Sequence, residues 1–163
     1  MPVHPDAYRR AVGRFATGVT VVTTTVRGGS AALTANSFTS VSLDPVLLLV
    51  CVQKSARFHA LVLEAGVWGV SVLAADMEEI STRFASPVRY DLGRPFEGLK
   101  HSAGAVTGCL LLDDALATFE CRTVLAYEGG DHTMLLGEVL TLATPRSDVP
   151  PLVFFDGAYR SLT

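Results

Sequence analysis

Three short runs in this chain hold residue types that do chemistry. Gln53-Lys54-Ser55-Ala56-Arg57 stands between an apolar run and the start of a helical pattern. Unpaired N–H groups at a helix start point outward, and the helix dipole favours negative charge there. One hydroxyl (Ser55) and two cations (Lys54 and Arg57) at that place suit a phosphate. The plainer reading is a capped helix with solvated basic residues. Thr34-Ala35-Asn36-Ser37-Phe38-Thr39-Ser40 is rich in hydroxyls and an amide and lies between two apolar stretches. It suits the polar edge of a heterocycle; its groups equally suit a loop that satisfies its own backbone. Gly130-Asp131-His132-Thr133 puts a histidine beside an acid after a Gly-Gly turn, as an acid/base, a hydrogen-bond donor or an exposed turn residue.

The other histidines, His4, His59 and His101, have no ligand spacing, so a zinc site is not expected. Neither a GxSxG elbow nor an HExxH motif occurs, which leaves serine-hydrolase and metalloprotease chemistry unsupported. Cys51, Cys109 and Cys121 form no CxxC pair and read as reduced, buried thiols of a cytoplasmic protein.

Positioning these runs requires a β-rich frame. Asp6 is placed to cap a helix through about Phe15, with Tyr8, Val12 and Phe15 on one face. Val19–Val26 is almost wholly β-branched, and Gly28-Gly29 turns it into Ala31–Ser37 as a hairpin. Val46–Val52 is apolar throughout and predicts a strand covered on both faces. Ser55 is placed as N-cap of a helix bearing Phe58, Leu61, Val62 and Ala65, which Gly66 ends. Val67–Leu73 returns to strand, and Asp76 with Glu79 predicts a capping-box start to a helix through Phe84.

Residues 86–100 read as a long polar excursion. Strands follow at Cys109–Leu112, Leu116–Tyr127 and Thr133–Leu142, with Glu128–Asp131 as the last turn between them. In the middle strand Phe119, Cys121 and Leu125 share one face, with Glu120 and Arg122 on the other. A short strand, Leu152–Phe155, ends at Asp156-Gly157. The class expected is mainly β, an antiparallel barrel or sandwich with a few helices. A parallel dinucleotide-binding sheet is disfavoured, since no GxGxxG follows the first strand.

The 163 residues fit one domain, 1–163. With 49% hydrophobic residues, 18% charged and a net charge of -3, the chain is neither disordered nor built for general nucleic-acid binding. Its densest apolar run is far shorter than the about 20 residues of a membrane span. Residues 1–6 lack the basic-then-apolar pattern of a signal peptide.

Taken together, the segments resemble the flavin reductase family with the FMN-binding split-barrel fold, reductase components of two-component flavin monooxygenases. The matching text is Phe15-Ala16-Thr17-Gly18-Val19-Thr20-Val21-Val22-Thr23, then Leu33 to Pro45, Leu49 to Val52 with Ser55, Val70 to Leu73, and Arg83-Phe84-Ala85. Gly130 to Thr133 leading to Leu136-Gly137-Glu138-Val139, then Pro151 to Phe155 and Gly157 to Arg160, complete it. The resemblance implies a split β-barrel that moves a hydride from NADH or NADPH to FMN or FAD. Thr34, Ala35, Asn36 and Ser37 would hold the flavin ring edge, and Cys51, Val52 and Gln53 the ring or ribityl chain. Lys54 and Ser55 would take the phosphate, with Arg83 and Phe84 as a second phosphate-side contact. His132 and Tyr159 would lie near the nicotinamide. It further implies a homodimer with flavin near the subunit interface, and a separate monooxygenase that receives reduced flavin. A flavin carrier of the same fold without NAD(P)H turnover, and a small barrel for another apolar ligand, are the alternatives.

Overall fold

The computed structural model describes residues 1–27, 29–86 and 94–162. Its strands and helices follow in the order α1 (Pro5–Val12), β1 (Thr17–Gly18), β2 (Thr20–Val26), β3 (Gly29–Ala35), β4 (Thr39–Leu43), β5 (Val46–Gln53), α2 (Arg57–Ala65), β6 (Val67–Val72) and, after a 3-10 turn at Ala75–Met77, α3 (Glu78–Ala85). Then come β7 (His101–Ala103), β8 (Leu110–Leu112), β9 (Ala117–Gly129), β10 (His132–Ala143), β11 (Leu152–Phe155) and β12 (Ala158–Ser161). The fold is mainly β and antiparallel. Seven strands form one sheet in the order β3-β2-β6-β9-β10-β5-β4; β1-β11-β12 and β7-β8 form two smaller ones.

The β-branched run works as a strand because its hydroxyls have somewhere to go. Thr20, Thr23 and Thr24 are buried, and their Oγ1 atoms donate at 2.7 Å to the carbonyls of Ala35, Leu110 and Val67. Between them, Val21 faces one apolar cluster, with Leu73, Phe84, Phe96 and Leu152. Val22 faces another, with Val50, Val52, Phe58, Trp68 and Leu135. β2 is therefore covered on both faces.

That property was expected of β5, where burial instead alternates. Leu48, Val50 and Val52 are buried, while Leu47, Leu49 and Cys51 are half-buried. The physical reason lies in its neighbours: α2 and the core take one face, and no described element covers the other.

Other expectations change as well. His4, not Asp6, caps α1; Pro5 occupies its first turn, and Asp6 pairs with Arg9. The helix stops at Val12, and Tyr8, Val12 and Phe15 are exposed. β3 stops at Ala35, because Ser37 turns aside to bond β5. Ala56, not Ser55, occupies the N-cap position of α2, without a side-chain cap bond. Gly66 does end that helix, with φ 66°.

Asp76 makes no capping box. It takes the Arg146 guanidinium on both carboxylate oxygens, at 3.2 and 3.0 Å. Arg122 is exposed as its alternation predicts, yet Glu120 is buried. The loop after β7 folds over it, and its Oε1 accepts from Val106 N–H at 3.1 Å, Thr107 N–H at 2.7 Å and the Thr107 hydroxyl at 2.8 Å. Of the polar excursion, residues 87–93 lie outside the described ones, and Phe96 plugs into the first cluster. β7 and β12 had no signal strong enough to be expected.

Candidate functional site

A cleft of about 670 Å³ opens where β3, β5, α2 and β10 meet. Its apolar surface comes from Ala31, Ala32 and Leu33 on β3 and from Phe58 and Leu61 on α2. Thr34, Ala35, Asn36 and Ser37 form one rim; Cys51 and Gln53 continue it on β5. Ser55, Ala56 and Arg57 close one end, His132 borders it from β10, and Phe84, Ala85 and Ser86 approach from the end of α3.

The hydroxyls of the rim are already committed. Ser37 Oγ accepts from the Cys51 N–H at 2.9 Å and donates to the Cys51 carbonyl at 3.1 Å, zipping residues 36–38 to β5 where strand pairing has stopped. Thr34 Oγ1 donates to the Ser81 carbonyl at 2.6 Å. What the rim leaves open is Asn36, exposed and without a hydrogen-bond partner among the described residues. Gln53, Ser55 and Arg57 likewise have no side-chain partner among them. At the start of α2, the N–H groups of Ser55, Arg57 and Phe58 meet no carbonyl among the described residues. Backbone donors, one hydroxyl and one guanidinium thus stand together there, a donor set of the kind that suits an anion.

Lys54 points elsewhere. Its ammonium pairs with Glu128 on β9, and that contact holds the Glu128 carboxyl below its usual range. Its own N–H donates to the Asp131 carbonyl at 2.9 Å, tying the β9–β10 turn to the β5–α2 connection. Val52 is in the core and does not line the cleft. Arg83 does not line it either. Both its guanidinium donors take the Glu97 carbonyl at 3.0 Å, beside a groove that it shares with Glu78, Glu79, Thr82 and Ser86.

Tyr159 sits behind the wall. Its hydroxyl lies 2.6 Å from Ser81 Oγ, and the Ser81 carbonyl is the one that Thr34 bonds. Of the residues singled out from the sequence, the cleft thus gathers Thr34, Ala35, Asn36, Ser37, Cys51, Gln53, Ser55, Phe84 and His132. It leaves Val52, Lys54, Arg83 and Tyr159 outside its lining. Arg57, seen only as a second cation in the run, is the one that lines the cleft; nothing local distinguished it from Lys54, whose partner is 74 residues away.

Burial holds the three cysteines in the thiol form. All three are free thiols, and burial pushes Cys51 and Cys109 up and Cys121 up to about 12. A thiol kept protonated is a poor nucleophile. Among the described residues no cluster of His, Cys, Asp or Glu is placed to hold a metal, and no helix is long and apolar enough to cross a membrane.

An apolar slot with open polar groups at both ends fits a flat heterocycle carrying a phosphate tail. Comparison with known proteins agrees. Residues 12–163 match the family described as flavin reductase like domain. The FMN reductase (NADH) SmoA of Agrobacterium fabrum is 42% identical over 153 residues, covering 94% of this chain and 83% of that one. A bacterial structure, BorF, the flavin reductase component of a two-component tryptophan halogenase, superimposes with a TM-score of 0.92 at 43% identity, covering 98% of both chains. The NADH:FAD oxidoreductase of Streptomyces globisporus, solved in complex with NAD and FAD fragments, gives 0.90 at 38% identity, covering 100% of this chain and 97% of that one. The chain belongs to the flavin reductase-like domain family.

Proposed function

We propose that this chain is an NAD(P)H:flavin oxidoreductase that reduces FMN or FAD by hydride transfer and supplies reduced flavin to a partner monooxygenase. One observation carries the reading: an apolar cleft bordered by donors that have no partner among the described residues, Asn36 at the rim and Ser55 with Arg57 at the helix start. The flavin, when bound, supplies the hydride acceptor. Hydride transfer between stacked rings demands placement more than a strong acid or base, so the work of the protein is to hold and orient.

Asn36 and the main chain of residues 34–37 would hold the ring edge. Thr34 and Ser37 fix that segment through Ser81 and Cys51. Cys51 and Gln53 border the ring and ribityl chain, and Val52 contributes backbone alone. Ser55, Arg57 and the open N–H groups take the first phosphate. Lys54 acts through Glu128, neutralising a carboxylate that would repel an anion. Phe84 would border the ring from α3, and Arg83 braces that end of α3 by gripping the Glu97 carbonyl. His132 flanks the nicotinamide, and Tyr159 buttresses the rim from behind.

The seven-stranded sheet closes as a split β-barrel, and residues 1–163 form one domain. A second copy of the chain covers the open face of β5. There Leu49 pairs across Leu136 to Leu125, and Cys51 across Met134 to Tyr127, with Leu125 and Tyr127 exposed. This apolar surface runs without break into Cys51, Gln53 and His132 of the cleft, which puts the flavin near the subunit interface. Free thiols suit the cytoplasm.

The test is a steady-state assay at the nicotinamide absorbance band, crossing NADH and NADPH with FMN, FAD and riboflavin. Turnover with at least one pair supports the reading. Tight flavin binding with no nicotinamide oxidation would make the protein a carrier, and no flavin binding would end both.

A further inference from the structure

The β9–β10 turn holds a second polar contact, and this one has a direction. Gly130 adopts φ 72°, a conformation glycine reaches without cost. It sends the chain back so that Asp131 stands beside the first residue of β10. Asp131 Oδ1 lies 2.7 Å from His132 Nδ1. The backbone of the same residue is pinned, its carbonyl accepting the Lys54 N–H at 2.9 Å. The backbone that carries the carboxylate is thus held by a contact independent of the histidine. The His132 contact, and more weakly Arg9, hold the Asp131 carboxyl below its ordinary range.

An ionised carboxylate only accepts, so the proton in this contact sits on Nδ1. A neutral imidazole with its proton there has its lone pair on Nε2. That nitrogen has no partner among the described residues, and its ring borders the cleft. The nearby His59 takes no part, since its Nε2 is engaged with Thr133 Oγ1 at 2.8 Å.

We propose that Asp131 is a positioning residue that fixes neutral His132 as the Nδ1–H tautomer, so that the cleft meets a hydrogen-bond acceptor at Nε2. Such an acceptor suits the amide N–H of a nicotinamide carboxamide and not its carbonyl, which orients the ring face presented for transfer. The ligand part rests on the reductase reading; the tautomer part does not.

Two readouts separate them. Two-bond proton–nitrogen correlation on labelled, ligand-free protein reads the tautomer directly. The parent is expected to show Nδ1–H, and Asp131→Ala to shift the ring toward Nε2–H at an unchanged thermal midpoint. In steady state, Asp131→Ala is expected to raise KM for the nicotinamide about tenfold, with kcat and flavin affinity within about threefold, as loss of one oriented hydrogen bond requires. An Nε2–H ring in the parent, or a tautomer indifferent to Asp131→Ala, overturns the proposal. A tautomer shift with an unchanged KM overturns the acceptor role. No nicotinamide oxidation by the parent, with the tautomer as stated, sinks the reductase reading and leaves the tautomer assignment standing.

Discussion

Arg57→Ala is the perturbation that most cleanly separates the phosphate site from the rest of the cleft. Arg57 is exposed and bonds nothing among the described residues, so its removal orphans no buried group and leaves α2 intact. Whatever affinity it supplies is therefore lost as affinity alone. A charge-assisted hydrogen bond contributes about 1.5–3 kcal/mol, and solvent exposure screens it, leaving about 1–2 kcal/mol. That corresponds to a roughly 5–30-fold rise in Kd for FMN and FAD.

Riboflavin shares the ring but has no phosphate, so its Kd should stay within about twofold. Lys54→Ala is the internal control. Because its ammonium is spent on Glu128, the phosphate loses only a screened, indirect contribution, and FMN should weaken less than about threefold. Quenching of flavin fluorescence on titration of each protein measures these dissociation constants. Equal weakening of riboflavin by Arg57→Ala would show that the residue shapes the slot and does not bind phosphate. A Lys54→Ala loss as large as that of Arg57→Ala would refute the placement.

Three further outcomes concern the frame. A Cβ on Gly137 would run into the ring of Trp68, which is fully buried, so Gly137→Ala should cost about 1–3 kcal/mol, seen as a lower midpoint in thermal or urea unfolding. Glu120→Ala strands two backbone donors and the Thr107 hydroxyl. It should cost about 2–4 kcal/mol, a fall of roughly 5–15 °C in Tm by calorimetry. The Arg146 contact holds Asp76 below its ordinary 3.8. The stability it lends is therefore complete above that value and is lost as pH falls through the lowered one; urea unfolding below about pH 4 should show a steeper decline in the parent than in Asp76→Asn.

What the sequence made legible is what depends on near neighbours. The β-branched run of β2, the stop at Gly66, the Gly130-Asp131 turn and the polar rim are all set within a few residues. What it hid is set across the fold. Lys54 and Arg57 are equivalent cations until β9 brings Glu128 to one of them. Tyr159 sits near the chain's end, and only packing puts its hydroxyl on Ser81, 78 residues away. Glu120 alternates correctly as a strand residue, yet a loop with Gly104 and Gly108 folds over it and buries it. An apolar run such as Val46–Val52 marks a strand without saying which of its faces the core takes.

That last ambiguity explains why the site and the core are one construction. The antiparallel register pairs His132 with Gln53, Cys51 with Met134 and Leu49 with Leu136. With side chains alternating in a period of two, placing Leu48, Val50 and Val52 inward forces Cys51 and Gln53 outward, beside His132. A slip of one residue would carry Gln53 into the core and Val52 onto the cleft wall, at the cost of burying an unpaired amide. The core therefore specifies the register by excluding the alternative. The register in turn brings His132 beside Gln53, next to the Ser55 end of the cleft.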